Sequence, residues 1–371
     1  MTPVPGCATS AGTIAYGARF PALRDAGHFR ATCPEGLQAG SVGIGTYLGN
    51  ADDAGDRGYE AALRSALDGG LNLIDTAINY RHQRSERVIG RVLADHRREG
   101  LLICSKAGFL PFDQDLPADP RRYLAETYVA TGLAPPEEIA GGSHCMAPGY
   151  LQDQLTRSLR NLGLATVDVF YLHNPETQAA EVPPAVFEAR LRRAFEVLEG
   201  EVAIGRIRAY GVATWNGFRL SPEEPGYLSL RHLLTLAGEV GGAGHHLRFV
   251  QLPFNLGMPE AALRANQPVD APGDLRSFLE AATVLGINVV ASASLGNGQL
   301  VRLPDELRGY LQLQFPESKP DAALALQFAR SAPGVMTALV GMGNPVHVAE
   351  NLRVIARPPA TPEVMARLLA P

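Results

Sequence analysis

Eight short apolar runs alternate with eight amphipathic stretches along most of this chain, and that alternation restricts the fold more than any other feature. Runs such as LNLIDTA (71–77) and VDVFYLH (167–173) have the length and apolar content of buried strands. Stretches such as APGYLQDQLTRSLRNLG (147–163) place apolar residues at helical spacing. Strands that alternate with helices are typical of parallel sheets with crossover helices. Eight such units predict an α/β fold, a closed (β/α)8 TIM barrel.

The spacing of the runs predicts the bounds of each element. Strands are predicted over 41–49, 71–77, 101–107, 167–173, 207–214, 247–255, 287–294 and 336–341. Helices are predicted over 57–70, 85–97, 147–163, 184–200, 227–240, 273–286, 321–332 and 345–355.

A single barrel domain over residues 1–371 is predicted, with two departures from the repeat. Residues 12–33 precede the first unit, and we expect them to form an N-terminal β-hairpin that closes one end of the barrel. Residues 108–146 are rich in proline, glycine and charge, and are predicted to be an insertion loop at the C-terminal rim. Loops of this length are often functional, so we expect a lid over the substrate. Its candidate contacts are Phe109, Phe112, Tyr123, Tyr128 and His144.

Composition and charge exclude several classes of protein. The net charge of -5 and the pI near 6.0 give no electrostatic reason to expect a nucleic acid or an anionic membrane as partner. The four cysteines are scattered without a C-x-x-C pair, so neither a zinc site nor a disulfide framework is predicted. We find no secretory signal and no run of 18 apolar residues, and expect a cytoplasmic protein that acts on a small molecule. The oligomeric state is left open.

The rarity of lysine draws attention to one position. The chain contains only Lys106 and Lys319, and arginine supplies all of the remaining side-chain positive charge apart from histidine. Lys106 directly follows the apolar run LLICS (101–105), at the end of the third predicted strand. Lysine changes its pKa when buried and acts as a compact point charge, and arginine does neither. We therefore predict that position 106 needs the chemistry of lysine.

Three other polar residues are predicted to share the rim with Lys106. Asp75 ends the second strand, Tyr80 follows it in the loop, and His173 ends the fourth strand. The C-terminal strand ends form the active site of TIM barrels. A nearby ammonium lowers the pKa of a phenol, and a carboxylate offsets the cost of burying that ammonium. We expect Tyr80 to be a proton donor and acceptor of lowered pKa, with His173 orienting a substrate oxygen and no metal.

The stretch LNLIDTAINYRHQRSERVIG (71–90) resembles the signature of the aldo-keto reductase family, in which Asp-Thr-Ala precedes the catalytic tyrosine and Ser-Glu-x-x-Ile-Gly follows it. Further matches occur in the same order. They are SLRNLGLATVDVFYLHNP (158–175), GRIRAYGVATWN (205–216), FVQLPFN (249–255) and VAENL (348–352). The resemblance implies an NADP- or NAD-dependent oxidoreductase that interconverts carbonyls and alcohols by hydride transfer. It implies a catalytic tetrad of Asp75, Tyr80, Lys106 and His173, with Tyr80 as general acid and base.

The resemblance also implies where a cofactor and a substrate bind. Thr214 and Gln251 match positions that hold the carboxamide, and Ser292 stands where the family stacks a tyrosine on the nicotinamide. The loop SLGNGQL (294–300) and the start of the last helix offer backbone N–H groups to phosphates. His347 replaces the arginine that usually holds the 2′-phosphate, so the preference between NADP and NAD is left open. The implied cofactor residues are Gly45, Thr46, Tyr47, Asp75, Thr214, Gln251, Ser292, Leu295, Gly296, Gly298, Gly341, Gly343, His347, Glu350 and Asn351. The implied substrate residues are Tyr47, Phe109, His144 and Asn174.

Three other functions use residues of the same kinds. Lys106 could form a Schiff base, as in an aldolase. A carboxylated lysine could bridge two metals, but barrel hydrolases of that kind need a His-x-His in the first strand, and GIGTYLG (43–49) has none. Some relatives of aldo-keto reductases are cofactor-sensing subunits of membrane channels, and an intact tetrad does not exclude that role. The sequence does not select a substrate or a reaction direction.

Overall fold

Eight parallel strands close on themselves in the computed structural model, which describes residues 3–270 and 273–370. Each strand pairs with the next one along the chain, and the eighth pairs with the first. The predicted TIM barrel is therefore confirmed. The strands are β1 (Val42–Gly45), β2 (Leu73–Asp75), β3 (Leu102–Ala107), β4 (Val167–His173), β5 (Ile207–Ala213), β6 (Leu247–Pro253), β7 (Asn288–Ser292) and β8 (Val335–Gly341). Residues 1, 2, 271, 272 and 371 fall within the predicted domain but outside the described residues.

A helix follows each strand and covers the outside of the barrel. Most predicted helix bounds agree with the structure within a few residues, but the sixth helix begins at Phe278 rather than 273 because the capping box of Ser277 and Glu280 starts it there. The helices are α1 (Asp53–Asp68), α2 (Arg84–Leu93), α3 (Pro148–Leu162), α4 (Pro184–Ala203), α5 (Leu230–Gly241), α6 (Phe278–Val284), α7 (Asp321–Ser331) and α8 (Pro345–Ile355).

The two-residue period of each strand separates the two cores of the molecule. In β4, Val169 and Tyr171 belong to the cluster inside the barrel, whereas Phe170 and Leu172 belong to the cluster between strands and helices. Successive strand residues point to opposite faces, so this division follows directly from the alternation of positions. Every residue of β4 except His173 is buried, which is why the run is apolar apart from Asp168 near its start and His173 at its end.

The prediction of a β-hairpin over residues 12–33 is wrong in its bounds. Ser10–Ala18 is a helix, begun by Thr9, whose side chain accepts a hydrogen bond from the N–H of Gly12. Thr13, Tyr16 and Gly17 are buried at helical spacing, and the Tyr16 hydroxyl lies within hydrogen-bond distance of two main-chain oxygens at the C-terminal end of α1. The two-stranded hairpin lies later, where Phe29–Ala31 pairs with Gln38–Gly40.

The insertion over residues 108–146 contains short helical turns and several buried side chains between exposed stretches. It contains a helical segment over Pro120–Leu124 and Ala125–Val129, and a 3-10 turn over Pro136–Glu138. Tyr128 is fully buried, and its hydroxyl donates to the carbonyl of Pro111 at 2.7 Å.

None of the helices in the described part of the chain has both the length and the apolar content of a membrane span.

Several elements lie outside the barrel repeat. The additional helices are Pro21–Asp25, Glu176–Glu181, Glu260–Leu263, Asp305–Gln314 and Pro362–Leu368, the 3-10 turns are Tyr80–Gln83, Arg98–Gly100, Gly242–Gly244 and Gly296–Val301, and one small strand pair joins Gln267–Pro268 to Leu275–Arg276.

Candidate active site

The strand period also places the predicted polar residues at one end of the barrel interior. Two positions before Asp75, Lys106 and His173 lie Leu73, Cys104 and Tyr171, and all three belong to the inner cluster. Side chains two positions apart on a strand point to the same face. Each of the three polar side chains therefore points into the barrel, at the C-terminal end of its strand. The four predicted residues, including Tyr80 in the following turn, therefore meet at one rim.

Lys106 and Asp75 form a buried ion pair at the centre of this rim. The Lys106 Nζ lies 2.5 Å from Asp75 Oδ1 and 2.8 Å from the carbonyl of Thr76. The second carboxylate oxygen of Asp75 accepts a hydrogen bond from Gln251 Nε2 at 2.8 Å. Both oxygens of the carboxylate thus have a donor, which fixes the ammonium and offsets the cost of burying it.

The charges of this pair support each other. Burial raises the pKa of Asp75, and the adjacent Lys106 ammonium lowers it again, leaving a net upward shift. Burial lowers the pKa of Lys106, but the Asp75 carboxylate and Tyr80 raise it, and the net shift is upward. Lys106 is therefore an ammonium at neutral pH.

The Tyr80 ring lies directly beside the ammonium. The Lys106 Nζ is 5.0 Å from the centroid of the Tyr80 ring. The rings of Tyr47 and His173 approach Tyr80 at centroid distances of 5.0 and 5.9 Å. Burial raises the pKa of Tyr80, and Lys106 lowers it only in part, so the net shift is upward. The prediction that Lys106 makes Tyr80 more acidic than a free tyrosine is wrong, because desolvation of the phenolate outweighs the attraction of the ammonium.

An unusual turn holds Tyr80 at this position. Arg81, His82 and Gln83 have φ values of 47°, 54° and 68°, a left-handed conformation that is costly for residues with side chains. The Arg81 guanidinium compensates by donating to Asp56 Oδ1 at 2.5 Å and to the carbonyl of Asn50 at 2.7 Å. The start of α1 therefore clamps the turn that carries Tyr80.

His173 completes the set as a neutral imidazole. Burial lowers the pKa of His173 well below its ordinary value, and the Lys106 ammonium adds to this shift. Its Nδ1 is buried and has no hydrogen-bond partner among the residues that the structure describes. A neutral imidazole can donate one hydrogen bond to an oxygen in the adjoining cavity.

A cavity of about 650 Å³ opens directly above these side chains. Its size fits the range of cofactor and ligand sites. The residues that line it are Gly45, Thr46, Tyr47, Leu48, Asp75, Asn79, Tyr80, Phe109, His173, Asn174, Ala213, Thr214, Trp215, Gln251, Ser292, Ala293, Ser294, Leu295, Asn297, Gly298, Val301, Leu339, Val340, Gly341 and His347.

The structure brings most of the predicted site residues to this cavity. Lys106 lies beneath the floor, fully buried. His144, expected at the substrate, is also fully buried and lies behind Phe109, so that expectation needs correction. Of the predicted lid, Phe109 alone among the described residues of 108–146 lines the cavity. The predicted cofactor residues that do not line it are Gly296, Gly343, Glu350 and Asn351.

Several lining residues were not predicted from the sequence. Trp215, the single tryptophan of the chain, is 38% exposed and follows Thr214 at the end of β5. Asn79 precedes Tyr80, and Asn297 lies in the left-handed turn of the 294–300 loop with φ of 54°. Adjacency to predicted strand ends was the available signal for Trp215 and Asn79. No sequence signal indicates which side of the 294–300 loop faces inward.

Within residues 3–270 and 273–370, no group of three or more His, Cys, Asp or Glu side chains is arranged to hold a metal ion.

Comparison with known proteins places this geometry in context. Residues 41–220 match the Aldo/keto reductase family. The D-threo-aldose 1-dehydrogenase of a Pseudomonas species is 25% identical over 303 residues, which is 80% of this chain and 82% of that protein. A putative voltage-gated potassium channel subunit beta of Schizosaccharomyces pombe is 22% identical over 373 residues, covering 92% of each chain.

Solved structures agree in fold. An aldo/keto reductase from Klebsiella pneumoniae, crystallised with NADP and acetate, superposes with a TM-score of 0.59 at 21% identity. The match covers 90% of this chain and 92% of that one. The resemblance predicted from the sequence is confirmed.

Proposed function

On the premise that this chain resembles the aldo/keto reductases, we propose that it is an NAD(P)-dependent oxidoreductase that interconverts a carbonyl and an alcohol by hydride transfer. The observation that carries the proposal is the buried Lys106–Asp75 pair beside Tyr80, beneath a cavity that Asp75, Tyr80 and His173 line. We likewise propose a single domain, a small-molecule partner and a cytoplasmic location, which remain predictions.

The residues that line the cavity fit a nicotinamide cofactor. Thr214 Oγ1 is buried there without a partner among the described residues, so it can bond to a carboxamide. Gly45, Thr46 and Gln251 line the same cavity, and Gly341 and His347 line its boundary at the start of α8. When bound, the cofactor supplies or accepts the hydride.

Tyr80 handles the proton in this proposal. Its raised pKa keeps the phenol protonated at neutral pH, so in reduction it donates a proton to the carbonyl oxygen. In oxidation it must first lose that proton. The Lys106 ammonium then stabilises the phenolate, and Asp75 keeps the ammonium in place.

His173 sets the position of the substrate oxygen. Because its imidazole is neutral, it can donate one hydrogen bond without competing with Tyr80 as the acid. Donors from two directions would hold the oxygen between Tyr80 and His173 and polarise the carbonyl.

We propose that the protein accepts NAD at least as readily as NADP. None of the lining residues is an arginine or a lysine, and the lining residue with a basic side chain at the start of α8 is His347. A 2′-phosphate is held best by charge-assisted hydrogen bonds from such cations. The aldo/keto reductase from Klebsiella pneumoniae was crystallised with NADP, and that observation concerns the Klebsiella protein alone.

The Schiff-base alternative is disfavoured by the state of Lys106. A lysine nucleophile must be a free amine in contact with substrate. Lys106 is an ammonium held by Asp75 and Thr76, and it does not line the cavity. A cofactor-sensing subunit remains the second candidate because one relative is a putative channel subunit.

Turnover by the purified protein tests the proposal. NADH and NADPH are supplied separately with a panel of aldehydes and ketones, and NAD and NADP with alcohols and aldoses, the last because one relative is an aldose dehydrogenase. Oxidation or formation of the reduced cofactor is followed by absorbance. Turnover that Tyr80→Phe abolishes supports the oxidoreductase. Tight cofactor binding with no turnover on any substrate favours the cofactor-sensing candidate.

A further inference from the structure

His144 lies behind the candidate active site and contacts the main chain of His173. Its Nε2 is 2.7 Å from the carbonyl oxygen of His173. A carbonyl oxygen only accepts hydrogen bonds, so Nε2 carries the proton and donates it. The segment around His144 is itself fixed to the end of β3, since His144 forms an antiparallel bridge with Phe109 and the Cys145 N–H donates to the carbonyl of Gly108 at 2.8 Å.

Arg190 on α4 orients the Gln178 amide that faces His144. Arginine has only donors, so Arg190 Nη1 donates to Gln178 Oε1 and the amide nitrogen of Gln178 must face His144. Gln178 Nε2 lies 3.2 Å from His144 Nδ1, and 3.0 and 3.1 Å from the carbonyl oxygens of His144 and Glu138, so its two N–H groups face three acceptors. Because Nε2 carries the proton that it donates to His173, Nδ1 of the neutral ring can only accept. Burial lowers the pKa of His144 to about 4, so the ring stays neutral.

His144 also supports the cavity wall. The Phe109 ring lies between the two imidazoles, 5.2 Å from His144 and 5.3 Å from His173, nearly perpendicular to both. Phe109 and His173 line the cavity, whereas His144 does not. The packing leaves no space at Gly108, where a Cβ atom would lie 2.8 Å from His144 Nε2 and clash with the His173 carbonyl.

We propose that His144 is a positioning residue, whose Nε2–H fixes the end of β4 so that the His173 imidazole meets the substrate oxygen at the required distance. The inference rests on the proposed function for its catalytic consequence. The insertion 108–146 then supports the site through a buried hydrogen-bond series of Arg190, Gln178 and His144.

Two substitutions at His144 separate the hydrogen bond from the packing. His144→Phe keeps an aromatic ring without a donor, and we expect kcat/KM for the carbonyl substrate to fall by about 10- to 100-fold, because small displacements of a reacting group are that costly. His144→Gln keeps an N–H donor and should recover activity to within about threefold of the unsubstituted protein. Cofactor affinity should be unchanged in both. A folded His144→Phe variant with full kcat/KM, or one that loses cofactor affinity in parallel, would overturn the proposal.

Arg190 provides a second test if the His144 variants do not fold. Arg190→Gln removes the donor to Gln178, and we expect a loss in kcat/KM of about threefold, since the Gln178 amide that packs against His144 is then less firmly held. Arg193→Gln is the matched control, because Arg193 also pairs with Glu138, at 2.7 Å, but does not bond to Gln178. Equal effects of the two substitutions would contradict the proposal.

A readout independent of activity keeps this inference apart from the proposed function. The ¹⁵N spectrum of histidine-labelled protein, which has nine histidines, should contain a neutral ring protonated at Nε2 for His144. The His173 ring resonances should move in His144→Phe and stay in place in Arg193→Gln. If these shifts occur but no carbonyl is reduced, the proposed function fails and the positioning contact stands. If turnover is present and neither spectrum nor kinetics changes, the positioning role fails.

Discussion

The two ends of the barrel each bury an ion pair, and the pairs have opposite surroundings. At the N-terminal end, Arg98 lies 2.5 Å from Asp168, whose carboxylate also accepts the N–H groups of Ala8 and Ile103. At the C-terminal end, Lys106 also lies 2.5 Å from Asp75, but here Asp75 lines the cavity, and the Tyr80 ring lies beside the Lys106 ammonium.

The difference teaches what each pair does. Asp168 accepts hydrogen bonds from three separate segments: the N-terminal stretch, the 3-10 turn that holds Arg98, and β3. This pair therefore stabilises the fold by holding these segments together. Asp75 contacts Lys106 and Gln251, and the adjacent polar atoms Thr76 Oγ1 and Thr214 Oγ1 have no partner within the described part of the chain. Unpaired buried polar atoms cost free energy, which is typical of sites prepared for a ligand.

Tyr80→Phe should have the largest effect at the functional end. We expect kcat to fall by about 10²- to 10⁴-fold, because the proton donor is lost while the ring and its packing remain. Steady-state kinetics with the best carbonyl from the panel measures it, and cofactor titration checks that binding is retained. A loss smaller than tenfold would mean that another group supplies the proton.

Asp168→Ala should act on stability instead. Removing one partner of a buried pair leaves Arg98 buried without its counterion, and we expect the free energy of unfolding to fall by about 3–5 kcal/mol. Denaturant unfolding measures the loss, and kcat of the folded protein should be unchanged. Glu126→Ala is the matched control, since its pair with Arg122 is exposed and should contribute less than about 1 kcal/mol. Equal losses in the two variants would remove the contrast between buried and exposed pairs.

The raised pKa of Tyr80 predicts opposite pH dependence in the two reaction directions. The phenol is protonated throughout pH 6–9, so carbonyl reduction should be nearly constant there. Alcohol oxidation needs the phenolate form of Tyr80. As long as the pH is below the pKa of Tyr80, each increase of one pH unit raises the phenolate fraction about tenfold, so the oxidation rate should rise by about the same factor. Rate profiles in both directions with saturating cofactor measure this. A plateau in oxidation below pH 9 would indicate that Lys106 lowers the pKa after all.

His347→Arg should have the smallest effect, on cofactor choice. A guanidinium at the start of α8 can pair with a 2′-phosphate, and we expect affinity for NADPH relative to NADH to rise by about five- to tenfold. Quenching of Trp215 fluorescence, which comes from the cavity itself, provides the measurement. His347→Gln serves as the uncharged control and should leave the ratio unchanged. An equal gain for both cofactors in His347→Arg would place the 2′-phosphate elsewhere.

Sequence reasoning recovered the parts of this molecule that repeat. Eight strand and helix units and their rim residues follow from periodicity, and the bounds of β4 and α8 agree with the prediction. The N-terminal hairpin was misplaced because the helical spacing of the buried residues Thr13, Tyr16 and Gly17 was not considered. His144 was assigned to the substrate because aromatic and histidine residues in a long insertion do not reveal their burial.

The sequence by itself determined the barrel and which strand ends carry an acid, an amine and an imidazole, because strand period and parallel order are local properties. Only the tertiary structure decided how these groups ionise and which face the cavity. Desolvation depends on every neighbour that excludes water, so the net direction of the Tyr80 pKa could not be read from the presence of Lys106. The same holds for His144, whose donor to His173 exists because segments distant in sequence converge there.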